Sequence, residues 1–137
     1  MLKKIISVLL TVALCFSLVS VTAFADSSTT YDLTTAIKSS SLVISGSTAT
    51  CNSSYEGGDV VKSVKIVQSL EKHSYLWVWD RFGSEITKTE TDTDSLSCVN
   101  IKTGITSGTY RVKSVFTVTL YDGRSETFTI YSNEVTV

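Results

Sequence analysis

Residues 108–137 alternate between apolar and polar. Tyr110, Val112, Phe116, Val118 and Leu120 fall on one phase of a period of two, and a second alternating run, Arg124 to Val137, follows Asp122-Gly123. A period of two turns successive side chains to opposite faces, as a strand half buried against a core requires. Asp-Gly between two such runs signals a hairpin. Two registers are open. A two-residue turn pairs Tyr121 with Arg124 and turns Phe128 and Ile130 away from the face of Phe116, leaving an exposed apolar patch with Val115. A three-residue loop, with Gly123 left-handed in a bulge, pairs Phe116 with Phe128 and Ser114 with Ile130. The apolar residues then share one face. Register in a half-buried sheet follows that face, so the bulged turn is expected.

The same reading extends upstream. Leu42–Ser45 is a short edge strand, and Thr48–Ser53 places Ala49 and Cys51 on one face. Tyr55–Asp59 is a loop. Val60–Leu70 points Val64, Ile66 and Leu70 inward. Lys72-His73-Ser74 turns the chain into a strand from Tyr75 to Phe82, Glu85–Thr91 is polar, and Ser95–Ile101 is a further strand. The chain has no proline, and Ser, Thr, Val and Ile dominate after residue 25, the composition of a β protein. Seven strands separated by turn signals predict an all-β, two-layer antiparallel sandwich, immunoglobulin-like or fibronectin-like. Strands 42–46, 48–54 and 95–101 form one sheet; 60–71, 75–82, 108–121 and 124–137 form the other. Tyr110, at the start of the penultimate strand, sits where such sandwiches keep a tyrosine corner.

The first twenty-five residues have the pattern of a secretory signal peptide. Lys3 and Lys4 precede an apolar run, Ile5–Phe24, that closes on Ala23-Phe24-Ala25 before Asp26-Ser27-Ser28. The run is long enough to span a bilayer, but the small-residue site at its end favours cleavage. Cys15 follows Leu14 and lies too early for a lipoprotein, and Ser132–Val137 has no apolar tail. The expected organisation is a signal peptide at 1–25, a Ser/Thr-rich flexible tail at 26–41 and a sandwich domain at 42–137, secreted as an extracellular monomer. Losing Lys3 and Lys4 from a net charge of −1 leaves a weakly acidic chain. Such a chain has no electrostatic footprint for nucleic acid, and no membrane association is expected after cleavage.

Four stretches carry a resemblance: Thr48–Ser54, Val64–Lys72, Ser107–Lys113 and Ser125–Ser132. Together they resemble a family of small secreted β-sandwich proteins of gut Firmicutes, over roughly residues 42–133. The resemblance implies a sandwich fold and secretion, and transfers no site. Trp77-Val78-Trp79 departs from the family's spacing, where the tryptophans lie further apart.

Signs of chemistry are few. His73 is the single histidine, and its place between Lys72 and Ser74 reads as a solvated turn. No nucleophile is paired with a base, no cofactor motif occurs, and the carboxylates lie in loops or on outward positions. Neither a catalytic residue nor a cofactor is therefore expected, and the chain is expected not to be an enzyme. No His/Cys ligand spacing marks a metal site. Glu90, Asp92 and Asp94 alternate; in an extended segment they project to one side, an arrangement three hard oxygen donors can offer to calcium. A solvated sheet edge is the simpler reading. Asn52-Ser53-Ser54 matches a glycosylation acceptor without further support.

Cys51 and Cys98 both fall inward on neighbouring strands of a chain expected to be exported. A disulfide is expected, stabilising by roughly 4 kcal/mol through loop closure, with two buried thiols as the alternative. Tyr75, Trp77 and Trp79 share one phase of their strand and Leu76, Val78 and Asp80 the other. If the aromatic rings face outward they form a row able to stack on sugars or anchor a protein; otherwise one of them is the core tryptophan of the sandwich. Two classes of function follow: a binding or adhesion module for an extracellular glycan, cell-wall polymer or host protein, and a structural protein assembling through strand edges such as Leu42–Ser45. A secreted hydrolase is a distant third.

Overall fold

The computed structural model describes residues 36–137; the expected signal peptide and most of the tail lie outside them. The described chain is all strand and loop, an antiparallel two-sheet sandwich. Sheet A holds β1 (Ile37–Ser45), β2 (Thr48–Glu56) and β6 (Ser95–Thr103), in the order β1-β2-β6. Sheet B is built on the long strands β3 (Val61–Tyr75) and β7 (Thr109–Leu120), which pair from Val61↔Leu120 to Lys72↔Tyr110. The outer edge of β3 is shared by β5 (Ile86–Thr91) and β4 (Val78–Arg81), and that of β7 by β8 (Ser125–Tyr131) and β9 (Val135–Thr136).

The division of strands between the sheets is as expected; the number of strands is not. Nine form instead of seven, because one expected strand breaks in two and one polar stretch pairs. Residues 124–137 split at Ser132–Glu134, and Glu85–Thr91 contributes β5 although Ile86 alone among its residues is not exposed. β1 starts at Ile37, five residues inside the expected tail, since Lys38–Ser41 continue the ladder with Ser53–Tyr55 and Asn52 of β2.

The β7–β8 hairpin takes the bulged register, with Phe116 opposite Phe128 and Ser114 opposite Ile130. Gly123 is left-handed at φ +89, and Leu120 N–H donates to Arg124 C=O at 2.8 Å across the three-residue loop. Tyr110 makes the tyrosine corner: its hydroxyl donates to Thr106 C=O at 2.8 Å and accepts from Thr106 N–H at 3.2 Å. Gly108 beside it has φ +147, and an added Cβ would meet Lys72 Cε at 2.6 Å.

The core lies between the sheets in two apolar clusters. One gathers Tyr55, Val64, Ile66, Leu96, Phe116 and Val118; the other gathers Leu42, Ala49, Leu70, Ile105, Tyr110 and Val112. A buried polar belt separates them. Gln68 lies between Ile66 and Leu70 on β3, Ser114 between Val112 and Phe116 on β7, and Ser53 between Cys51 and Tyr55 on β2. Gln68 Nε2 donates to Ser53 Oγ at 2.6 Å, and Ser53 and Ser114 hydroxyls bond at 2.7 Å, so the belt ties sheet to sheet.

Both lateral openings of the sandwich are crossed by side chains. On one side the Asn133 amide takes both backbone groups of Leu42 on edge strand β1, accepting from its N–H and donating to its C=O at 3.1 Å each. On the other, Lys88 Nζ donates to Ser97 C=O of β6 at 2.9 Å and Lys102 Nζ to Ser84 C=O at 2.6 Å. An edge whose backbone groups are taken, or guarded by lysine, is a poor template for another strand.

Candidate functional site: an aromatic finger and a stacked ladder

The last β3–β7 pair is Lys72↔Tyr110, yet β3 continues to Tyr75 before returning as β4. Residues 73–79 therefore run past the sheet as a two-stranded finger. The turn is Leu76-Trp77, closed by the pair Tyr75↔Val78, with a bulge between His73 and Tyr75. This corrects the expected turn at Lys72–Ser74 and the unbroken strand from Tyr75. Tyr75, Trp77 and Trp79 consequently do not stand in a row. Tyr75 is on one strand, Trp77 in the turn and Trp79 on the returning strand.

The tip is apolar throughout and stands in solvent. Trp77 is 81 % exposed, Tyr75 70 %, Leu76 58 % and Val78 44 %. Neither tryptophan is the central core residue of the sandwich; Tyr55, Tyr110 and Phe116 fill that space. Leu76 is left-handed, φ +49, a conformation that costs a branched side chain roughly 1 kcal/mol or more and glycine almost nothing. The carbonyls of the tip are satisfied from within: His73 Nε2 donates to Leu76 C=O, and Ser74 Oγ donates to Val78 C=O at 3.2 Å. His73 is thus a half-buried strand residue that caps the turn, where a solvated loop was expected.

Below the tip, on the outer face of sheet B, four side chains stack across the strands. The His73 and Trp79 rings lie 5.1 Å apart. The Arg111 guanidinium lies 4.1 Å from the Trp79 ring centre and 4.1 Å from that of Tyr131. Glu71, opposite Arg111 in the ladder, holds it by a bond from Nε at 2.8 Å. A guanidinium between two aromatic faces gains cation–π attraction on both, and the carboxylate fixes its plane.

Other expected site residues are dispersed. Cys51 and Cys98 are buried free thiols. They lie on adjacent strands as expected, but Cys51 is opposite Asn100 and Cys98 opposite Ser53. The two are a diagonal pair, and diagonal neighbours sit about 7–8 Å apart, beyond disulfide reach without backbone movement. Burial pushes the Cys51 thiol up to about 11 and raises that of Cys98.

The acidic run is divided between two surroundings. Asp92 is left-handed, φ +55, which breaks the extended alternation on which the calcium reading depends. Glu90 remains on β5 with Lys88 3.9 Å away, whereas Asp92 accepts from the Tyr121 hydroxyl at 3.0 Å. That bond raises the Tyr121 pKa. Asp92 and Asp94 line a shallow cleft with Asp59 and Tyr121, from which Glu90 is absent. Among the described residues no cluster of three or more His, Cys, Asp or Glu is placed to hold a metal ion.

Comparison with known proteins adds little. No family model matches the chain, and no curated protein matches it. Among solved structures, wild-type OgpA from Akkermansia muciniphila is similar over 70 % of this chain, at 11 % identity and a TM-score of 0.36. The matched part spans 27 % of the OgpA chain, and a likeness at this level carries no functional argument.

Proposed function

We propose that this chain is an exported, non-catalytic binding or adhesion module whose contact element is the finger at residues 73–79. The observation that carries this reading is Trp77, four-fifths exposed at the end of a projecting hairpin beside Tyr75, Leu76 and Val78. Large apolar side chains held in water on a well-paired hairpin favour contact with something outside the domain. Tryptophan and tyrosine supply much area at low entropy cost when they dock. Extracellular glycans, cell-wall polymers and proteins all present surfaces that such rings bind. His73, the single histidine, caps a backbone carbonyl, which supports the non-catalytic side of the reading.

Assembly through strand edges is the second reading. It is favoured less, because Asn133 occupies Leu42 on β1, and Lys88 and Lys102 guard the opposite opening. The test is a binding screen of the exported protein against glycans, cell-wall fractions and extracellular proteins, repeated with Trp77→Ser. Retention that vanishes in the variant while its melting temperature holds supports the module. Retention unchanged in Trp77→Ser removes the finger from the reading.

A further inference from the structure

We infer that the finger inserts into the interfacial layer of a lipid bilayer, so that the partner of this module is a membrane surface. The inference rests on the finger being the contact element and narrows what it contacts. The shape of the tip comes first. It is a convex hairpin end with apolar side chains on both strands and in the turn: Tyr75, Leu76, Trp77 and Val78. A sugar-binding platform needs polar groups at the rim of its rings. Here the neighbouring polar groups, His73 Nε2 and Ser74 Oγ, are turned back onto the carbonyls of Leu76 and Val78. In water those carbonyls need no such partners. In an apolar medium they do, because an unsatisfied backbone group costs several kcal/mol there.

The distribution of residue types fits a bilayer boundary. Tyr and Trp favour the headgroup level, while Leu and Val favour the hydrocarbon. The first charged residues of the hairpin itself are Lys72 and Asp80, a cross-strand pair four residues before and three residues after the turn. At about 3.3 Å per residue that places roughly 10–13 Å of uncharged hairpin ahead of them, enough for an interfacial depth of about 5–10 Å. The ionic groups behind are paired, Arg81 with Glu85 and Arg111 with Glu71. Insertion is accordingly driven by apolar burial and not by charge. The weakly acidic composition excludes only electrostatic adhesion; a localised apolar tip does not depend on net charge.

The chain has two tryptophans, both on the finger, so their fluorescence reports the event directly. Titrate the exported protein with phosphatidylcholine vesicles, with and without phosphatidylglycerol, and repeat with brominated acyl chains. The expected result is a blue shift and quenching of emission with both lipid compositions and little dependence on salt. Partitioning should fall about tenfold or more in Leu76→Asn/Trp77→Phe, which loses a buried leucine and reports through Trp79. It should be unchanged in Ile101→Ser, which removes a comparable exposed apolar residue from sheet A. Emission that neither shifts nor quenches at saturating lipid overturns the inference, as does partitioning equal in the finger variant. Trp77-dependent retention on a glycan or protein without any vesicle effect also overturns it while leaving the module standing. Failure of both assays removes the finger as a contact element altogether.

Discussion

Gln68 is the residue whose burial most needs explaining. Its amide nitrogen is bonded to Ser53 Oγ, but its Oε1 has no protein partner. Removing either end of this contact has different consequences. Gln68→Met deletes a group that is only half satisfied and leaves the Ser53–Ser114 bond in place, so stability should change by less than about 1 kcal/mol. Ser53→Ala removes two bonds at once, leaving the Gln68 amide only the Cys98 carbonyl at 3.4 Å and the Ser114 hydroxyl only Ser40 Oγ at 2.9 Å, and should cost about 1–2 kcal/mol. Urea melts of the two variants check the contrast; equal losses would show that the belt is not held through Ser53. Leu76 poses the reverse case. Leu76→Gly relieves the left-handed conformation and should leave the melting point unchanged or slightly higher, while weakening whatever the finger binds. A clear drop in melting temperature would show that the leucine is there for the fold.

At the scale of elements, the ladder on sheet B and the clamp on β1 each make a prediction. Arg111→Ala removes the cation between Trp79 and Tyr131 and leaves Glu71, mostly buried, without its partner. The loss should be about 1–3 kcal/mol, with a change in tryptophan emission as Trp79 loosens. Arg111→Lys should not restore the wild-type spectrum, since an ammonium cannot stack as a plane. Asn133→Ala frees both backbone groups of Leu42 and should raise the tendency of the protein to dimerise, read by size-exclusion chromatography over a concentration series.

What could be read from the sequence also divides by element. The β7–β8 register was legible because a turn with recognisable chemistry joins two strands whose apolar faces must coincide. The sheet partition was legible because each inward set repeats with period two. The finger was not, since Leu76-Trp77 contains none of the usual turn residues and Tyr75 to Trp79 is apolar on both phases. β5 was hidden because an edge strand with one inward residue carries almost no pattern. The ladder depends on Glu71 facing Arg111, and no short turn fixes the register of strands so far apart in sequence. The cysteines illustrate the same limit more finely: strand neighbours and facing were right, and a two-residue offset decided the chemistry.

For the molecule as a whole, two buried thiols make alkaline stability a useful probe. The Cys51 thiol ionises near 9 when exposed and at about 11 in the fold, so folding resists its ionisation. A raised value in the folded state means that its contribution is complete below pH 9 and is lost as pH rises from about 9 to 11. Wild type should lose stability across that window more steeply than Cys51→Ala, as followed by chemical denaturation at each pH. Parallel profiles would show that the thiol is not buried as described. The melting temperature should also be insensitive to reductant, because no bond joins the two cysteines.

The polar belt has a consequence for how the two sheets find each other. Apolar faces alone tolerate sliding, because one valine serves nearly as well as the next. Ser53, Ser114 and Gln68 meet in a single alignment of sheet A on sheet B. A slip of one inward position along the strands sets Gln68 against Cys51, a poor acceptor, or against Tyr55, whose ring puts its hydroxyl several ångströms beyond the place of the serine Oγ. The belt therefore works as an indexing pin. It adds little to the strength of the joint and makes every misaligned assembly more costly than the native one.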